Sequence, residues 1–482
     1  MNAEFVPRDT KAVLQLLPVK DCSRSLYFDR FSRPDLAKAK RQQFFNDGFT
    51  AHTSVLGCGS WAVTRQRMRT VMLYAQLKSR LMVNMAGGVM ENAGLSLDRF
   101  GLPYLPGSAV KGCARRAALA ALQEWCETGE KPAGTDNYFS DACEQFETPA
   151  AMLAAIALVF GWCEHDWFDG SNQSDFLWAC GQNHEEIWRT TSQMIAAQFC
   201  LPAEDGNCET PWKSLPNFAG SVSFLPAYLV DIPAGTDFNG MKTPAIGKLE
   251  LDVGTCHHPD YYGKRLDRKQ KLLKPVATDD EDPNPVFFPT VAPGHVFAFV
   301  LRRLREIEAD EKITRTWLAC GLQTFGLGAK TAAGYGWFDS SESVHACVTH
   351  FLLQKAERER KTLEDKAAKD KAQAEARAKD AEKAARETAF AGLSADERAD
   401  KEVELMSPAQ FDNKVRAFHK EPKKGGPADE EKKAIVRALR GLRLGYWQEF
   451  KLKAIKGDPA SAANAIREVS KQIFPGKEGK MP

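Results

Sequence analysis

Among twelve cysteines the chain has no C-x-x-C pair, and its two tight Cys/His neighbours, Cys163-Glu164-His165 and Cys256-His257, stand alone. No zinc-ligand spacing results, so neither a metal nor a cofactor is expected. The scattered, mostly apolar-flanked cysteines suggest reduced thiols in a cytosolic protein. No run of eighteen apolar residues occurs, which removes a spanning helix, and Met1-Asn2-Ala3-Glu4 opens no signal-peptide pattern. Charge of one sign is also lacking. With a net charge of +2, any surface for a polyanion has to be local.

Complete nucleotide fingerprints are missing as well. The stretch Phe325–Phe338 holds four glycines within the eleven residues 326–336, together with Lys330, Thr331 and several aromatics. A phosphate-loop motif needs Gly directly before Lys-Thr, and Ala329 stands there instead. The dinucleotide pattern fails from Gly326 at Thr331 and from Gly334 at Asp339, and the element order is helix then strand rather than the reverse. What remains is a glycine-dense loop whose backbone approaches a neighbour closely. It is either a phosphate cradle or a tight structural turn.

What is present is ample. The 482 residues, 43% hydrophobic, leave room for roughly two or three domains. Leu77, Leu81 and Val83 alternate with Lys78 and Arg80, which predicts a half-buried strand with a basic outer face. Ser108 is read as the N-cap of a helix reaching about Trp125, with Ser108, Lys111 and Arg115 stacked on one face of its first turns. That face is either an anion site at a helix start or a capped surface helix with solvated cations. Residues 127–218 form a tryptophan-rich helical insertion with an apolar helix near Met152–Phe160.

Strand signals resume at Ser221–Phe224, Lys248–Val253 and Val296–Leu301, the last a candidate central strand. Between Thr255 and Thr290 lies a long irregular segment. Six cations fall within Lys264–Lys274, beside Tyr261, Tyr262, His257 and His258. That composition suits a single-strand nucleic-acid surface, or else a solvated charged loop. Glu308–Phe325 reads as a helix with Ile313, Trp317, Leu318 and Leu322 buried and Gly326 as its stop. The order strand, helix, strand, strand, helix, strand is the split arrangement of ferredoxin-like folds, α+β in class. Eleven cations nearly balance nine anions across Lys355–Glu387, which predicts a solvated charged helix. Apolar spacing returns over Ser394–Phe474 as a small helical appendage, with a basic face of Arg437, Arg440, Arg443, Lys451 and Lys453.

Two of these stretches carry a resemblance. Gly101-Leu102-Pro103-Tyr104-Leu105-Pro106-Gly107-Ser108-Ala109-Val110-Lys111-Gly112 resembles the G-x-P-Y-[IL]-P-G-S-S-[LI]-K-G signature of RAMP-superfamily CRISPR-associated proteins. Gly326–Gly336 is similar to their C-terminal glycine-rich loop. The stretch from Asp252 through His258–Tyr262, then Pro283–Phe288, is similar to the middle section of the sixth-subunit family of type III-B (Cmr) RNA-guided effector complexes. The resemblance covers roughly residues 75–340, and Ala109 departs from the family's usual second serine.

The resemblance implies a modified ferredoxin-like (RRM-like) RAMP domain over 1–350, insertion included, ahead of a charged helix or linker at 351–390 and a helical appendage at 391–482. It implies a non-catalytic structural subunit that grips guide RNA near its 3′ end, and in the assembly target RNA, beside other RAMP subunits in antiviral defence. The residues assigned to RNA are Ser108, Lys111, Arg115, Tyr262, Lys264, Arg265, Arg268, Gly326, Gly328, Lys330, Thr331, Gly334 and Tyr335. Two other readings stay open: a metal-independent RAMP endoribonuclease processing CRISPR RNA with His257 or His258 as base, and a pure protein scaffold.

Overall fold

The computed structural model describes residues 18–30, 38–54, 70–85, 95–167, 174–201, 210–256, 258–264, 266, 269–272, 275–278, 284–305 and 311–482. The chain divides into two compact units, residues 1–356 and 357–482.

The first unit opens with helices α1 (Arg24–Arg30) and α2 (Lys38–Phe49), then strands β1 (Thr70–Leu77) and β2 (Tyr104–Leu105) and the long helix α3 (Gly107–Thr128). A helical stretch follows: α4 (Ser140–Cys143), α5 (Pro149–Phe160), the short strand β3 (Gly161–Trp162), α6 (Glu164–Trp167), α7 (Asp175–Cys180) and α8 (His184–Gln198). Local chemistry sets these starts. Thr148 Oγ1 accepts the Ala151 amide ahead of Pro149 at the first turn of α5, and Ser174 Oγ accepts the Leu177 amide at α7. Trp162, Trp167, Trp188 and Trp212 are buried here, whereas Trp178 is 44% exposed.

Strands β4 (Phe218–Ala219), β5 (Val222–Phe224), β6 (Ala227–Leu229), β7 (Asp237–Phe238), β8 (Met241–Lys242) and β9 (Leu249–Cys256) come next. After the short helix α9 (Pro259–Tyr262), β10 (Asn284–Val291) pairs back on β9, and β11 (Val296–Arg303), α10 (Glu311–Thr324) and β12 (Phe338–Asp339) complete the layer. The main sheet is antiparallel, ordered β12-β1-β11-β6-β2, with β5 also on β11.

Its centre is the β1–β11 pair, in register from Thr70↔Arg302 to Gln76↔Val296. Alternation sorts the side chains onto two faces. Leu73, Ala75 and Leu77, with Phe297, Phe299 and Leu301, join the main core beneath α3 and α10. Tyr74, Val296 and Ala298 face the other way, against Val344 and Val348 of α11 (Glu342–Phe390). Both faces are covered, which is why β11 is an unbroken apolar run.

Helices α3 and α10 cross closely. A Cβ on Gly321 of α10 would lie 2.6 Å from the Cys113 carbonyl oxygen and 2.9 Å from its Sγ, so only glycine permits this approach. Ile313, Trp317, Leu318 and Leu322 are all buried along the same helix, on the stripe their spacing predicts.

Several expectations need correcting. The basic strand ends at Leu77; Leu81 makes only an isolated bridge to Val291, although Leu77, Leu81 and Val83 are buried as their alternation predicts. Ser108 is not the N-cap of α3. Pro106 holds that position in extended conformation and Ser108 is the second residue of the helix, where no side chain caps the start. Glu308, the expected start of α10, lies outside the described residues. The last strand is only Phe338–Asp339, because Gly334–Trp337 is consumed in turns.

In the second unit, the later residues of α11 are exposed and laced by pairs such as Lys361–Glu357 at 3.0 Å. Five helices follow: α12 (Ala395–Leu405), α13 (Pro408–Arg416), α14 (Asp429–Arg440), α15 (Leu444–Lys453) and α16 (Asp458–Ile473). Val403, Phe411, Ile435, Leu439, Trp447 and Ile466 form their own core, while Leu442 is exposed. Most of the expected basic face is internal. Arg437 pairs with Asp400 at 2.7 Å, and Arg440, Arg443 and Lys451 donate to the carbonyls of Glu478, Met406 and Pro482. Lys453 is exposed.

Replacing Gly321 by valine drives Cβ into the Cys113 backbone and should destabilise the first unit by about 1–3 kcal/mol. Hydrogen exchange of the full chain checks this. Amides of α3 and α10 should exchange faster, while those of α14 and α16, in a separate core, should not change.

Candidate functional site

The first turns of α3 and the loop after α10 face each other across a cleft of about 430 Å³. From α3 it is lined by Ser108, Ala109, Gly112, Cys113 and Arg116; from the loop by Gly326 to Ala329 and Thr331; Val83 and Asn84 close one side. The α3–α10 crossing produces this juxtaposition, and Cys113 Sγ, 3.6 Å from the Gly326 carbonyl oxygen, ties the loop to the helix.

The loop is held by its backbone. The amides of Leu327, Ala329 and Gly336 donate to the carbonyls of Gly336, Met82 and Arg80 at 2.7–2.8 Å. At Gly328, φ is +106° and a Cβ would lie 2.5 Å from the Met82 carbonyl oxygen, so the turn requires glycine. Among the described residues, no partner is found for the amides of Gly328, Lys330 and Thr331. Gly334, also at positive φ, shapes the turn beyond the cleft.

Gly112 differs. It lies inside a helix, where glycine costs about 1 kcal/mol relative to alanine, and a Cβ there would meet nothing within 4 Å among the described residues. No packing need explains it. Its effect is to leave the cleft floor bare between Ser108 and Arg116, which sit one turn away on either side along the same exposed stripe. The Arg116 guanidinium carbon lies 4.2 Å from the centroid of Phe325, whose ring stacks in turn on Phe139 at 6.3 Å. No carboxylate partner for Arg116 is found among the described residues.

The two α3 cations expected to meet a ligand are engaged elsewhere. Lys111 Nζ donates to the Phe160 carbonyl oxygen at 2.7 Å, closing the C-terminal end of α5, and burial followed by the charge of Arg115 lowers its pKa. Arg115 pairs with Asp166 at 2.5 Å and with Asp175, fastening α6 and α7 to α3. Both therefore hold the helical stretch in place, on the stripe beside the one that lines the cleft. Lys330, at φ +59°, also leaves the cleft: its ammonium sits 4.2 Å from the Phe288 ring centroid on β10. The Tyr335 hydroxyl donates to Asp252 Oδ2 at 2.7 Å, and Arg80 pairs with Asp252 at 2.9 Å and with Glu250 at 3.1 Å. Arg80 is thus the counter-charge of β9 rather than a free cation.

The segment after β9 stands apart from the cleft lining. Tyr262 is 70% exposed, packed edge-on against Tyr261 at 5.2 Å, and Lys264 is exposed with φ +44°. Arg265, Arg268 and His257 lie outside the described residues. The structure thus brings together Ser108, Gly326, Gly328 and Thr331, and places Lys330 and Tyr335 on the far flank of the same loop. Arg116, Gly112 and Asn84 were missed by following the spacing 108, 111, 115. The step of four through Ser108, Gly112 and Arg116 was the available signal.

Chemically the cleft offers unpaired amides, two hydroxyls and one guanidinium. No lining side chain is a general base: Cys113, its one thiol, is pushed up to about 12, chiefly by burial. No cluster of metal-ligating residues is found among the described residues, nor is any helix there long and apolar enough to cross a membrane.

Truncating Arg115 to alanine leaves Asp166 and Asp175 without their cation and should cost about 1–3 kcal/mol, read as a lower urea midpoint. Asp252 supplies a pH test. Burial opposes its charge, but Tyr335, the Val253 amide and Arg80 together hold its carboxyl below the ordinary range. Its stabilisation is therefore present above the unfolded value of about 4 and is lost as pH falls through the lower folded value. Asp252→Asn should flatten the acid limb of urea midpoint against pH.

A family model described as the RAMP superfamily matches residues 49–339. The chain is 27% identical over 260 residues to the CRISPR system Cmr subunit Cmr6 of Pyrococcus furiosus, covering 54% of this chain and 64% of that protein. It therefore spans somewhat less than two thirds of that relative's length. Among solved structures, a chain of the type III-B Cmr-beta complex bound to cognate target RNA aligns at 17% identity and TM-score 0.28, over 71% of this chain and 77% of that one. The crystal structure of Cmr6 from Pyrococcus furiosus aligns at 18% identity and TM-score 0.26, over 57% of this chain and 98% of that one. With the family model spanning β1, both sides of the cleft and the whole glycine loop, this chain belongs to the RAMP superfamily.

Proposed function

We propose that the chain is a non-catalytic, RNA-binding structural subunit of a type III-B CRISPR effector complex. In this reading a modified ferredoxin-like (RRM-like) core, with a helical insertion over about 127–218, grips guide RNA near its 3′ end in the cytoplasm. Neighbouring RAMP subunits, and target RNA in the assembled particle, are its partners. Family membership and the sequence likeness to Cmr6 support this placement.

The observation that carries the RNA reading is the cleft. Its unpaired amides and Arg116 suit phosphate oxygens, and its shape, rather than any base-reading array, suits a strand whose sequence is read by pairing. Lys330 on the far flank of the loop, and the exposed Tyr261, Tyr262 and Lys264 after β9, are groups of the kind single-strand binders use. Holding rather than cutting is favoured because His258, the described candidate base, is absent from the cleft lining.

Filter binding of the full chain to a labelled single-stranded RNA, repeated across salt concentrations, tests this. Arg116→Ala should weaken binding about tenfold and reduce the salt slope by about one. Gly112→Glu should weaken it further by placing a carboxylate on the cleft floor. Lys111→Ala should lower the melting temperature and leave the slope unchanged. Wild-type affinity in both cleft variants would remove the cleft from the RNA path.

A further inference from the structure

We infer that the cleft holds one whole nucleotide of the bound strand, its base laid against the Arg116 guanidinium and its phosphate at the amides of Gly328 and Thr331. This rests on the RNA-binding reading and adds to it a ligand class and a stacking residue. A cavity intended for phosphate oxygens alone would need little more than the space of a few waters, at about 30 Å³ each in the liquid. The cleft, at about 430 Å³, falls instead in the range that encloses small organic ligands.

Its interior has a planar layer waiting at one end. Phe139 stacks on Phe325 with an interplanar angle of 29°, and the Arg116 guanidinium carbon lies 4.2 Å from the centroid of the same Phe325 ring. Phe325 does not line the cleft whereas Arg116 does, so the ring buttresses the guanidinium from behind. Arg116 thus links the Phe139–Phe325 pair to the cleft, where a flat group would lie against the guanidinium. A guanidinium stacks on nucleobases as well as on aromatic rings.

The rest of the wall agrees. Gly112 leaves the floor beside Arg116 without a side chain, and Val83, Ala109 and Leu327 give it an apolar surface suited to the face of a base. Asn84, Ser108 and Thr331 bring polar side chains to the lining. The amides of Gly328 and Thr331, without a partner among the described residues, belong to the loop wall and Arg116 to the helix wall, so phosphate and base fall to different walls of one cleft.

Competition on the full chain tests this, with adenosine 5′-monophosphate and ribose 5-phosphate displacing a fluorescein-labelled single-stranded RNA. In the wild type, adenosine 5′-monophosphate should displace the RNA at about tenfold lower concentration, the advantage that stacking one base supplies. Arg116→Lys, which keeps the charge but not the plane, should abolish that advantage while RNA still binds. Gly112→Leu, which fills the floor, should abolish it too. Equal potency of the two competitors in the wild type, with RNA bound, would overturn the whole-nucleotide inference and leave the RNA-binding reading intact. Failure of the RNA to bind at all would overturn both.

Discussion

The first unit depends on one close contact between two helices. At the α3–α10 crossing the backbone of Cys113 meets Gly321 with no room for a methyl group between them. The same crossing fixes where α10 ends, and so where the glycine loop emerges relative to the opening turns of α3. The cleft is a consequence of that approach: its two walls lie more than two hundred residues apart in the chain and are brought together by a helix pair. The sheet beneath supplies rigidity, since β1 and β11 are buried on both faces and neither strand can shift without moving apolar side chains into polar surroundings.

Charge is arranged economically. Most of the cations around the site serve the fold. Lys111 closes the end of α5, Arg115 fastens α6 and α7, and Arg80 answers the carboxylates of β9. The second unit does the same with Arg437, Arg440 and Arg443. A cation satisfied by carbonyls or carboxylates contributes little field to an incoming polyanion. Arg116 in the cleft and Lys330 on its flank have no carboxylate partner among the described residues, so their charge adds to the local potential. Both lie over aromatic rings, which orients a charged group while leaving its donors available. A near-neutral chain can thus present a concentrated anion-seeking surface.

The glycines of the site divide by role. Gly321 and Gly328 are required by backbone approach, whereas Gly112 has open space where its side chain would be. Substitution at the first two strains the fold; at Gly112 it fills the cleft. That difference separates scaffold from ligand surface within a single motif, which a list of glycines cannot do.

Much of this was legible in order along the chain. The α+β class, the buried stripe of α10, the apolar run of β11, the charged character of α11 and the two glycine-bearing motifs follow from periodicity, composition and turn chemistry, all properties of neighbouring residues. The sequence determined that helix start and glycine loop exist and that both are built for close approach. Only the tertiary structure decided which helix face lines the cleft. A stripe of Ser108, Lys111 and Arg115 and one of Ser108, Gly112 and Arg116 are equally helical, and the choice belongs to the partners that claim Lys111 and Arg115: the carbonyl of Phe160 and the carboxylates of Asp166 and Asp175. Those partners arrive from the helical stretch that runs from α5 to α7, fifty residues or so downstream. Long-range ion pairing and packing, not local propensity, settled which cations face outward.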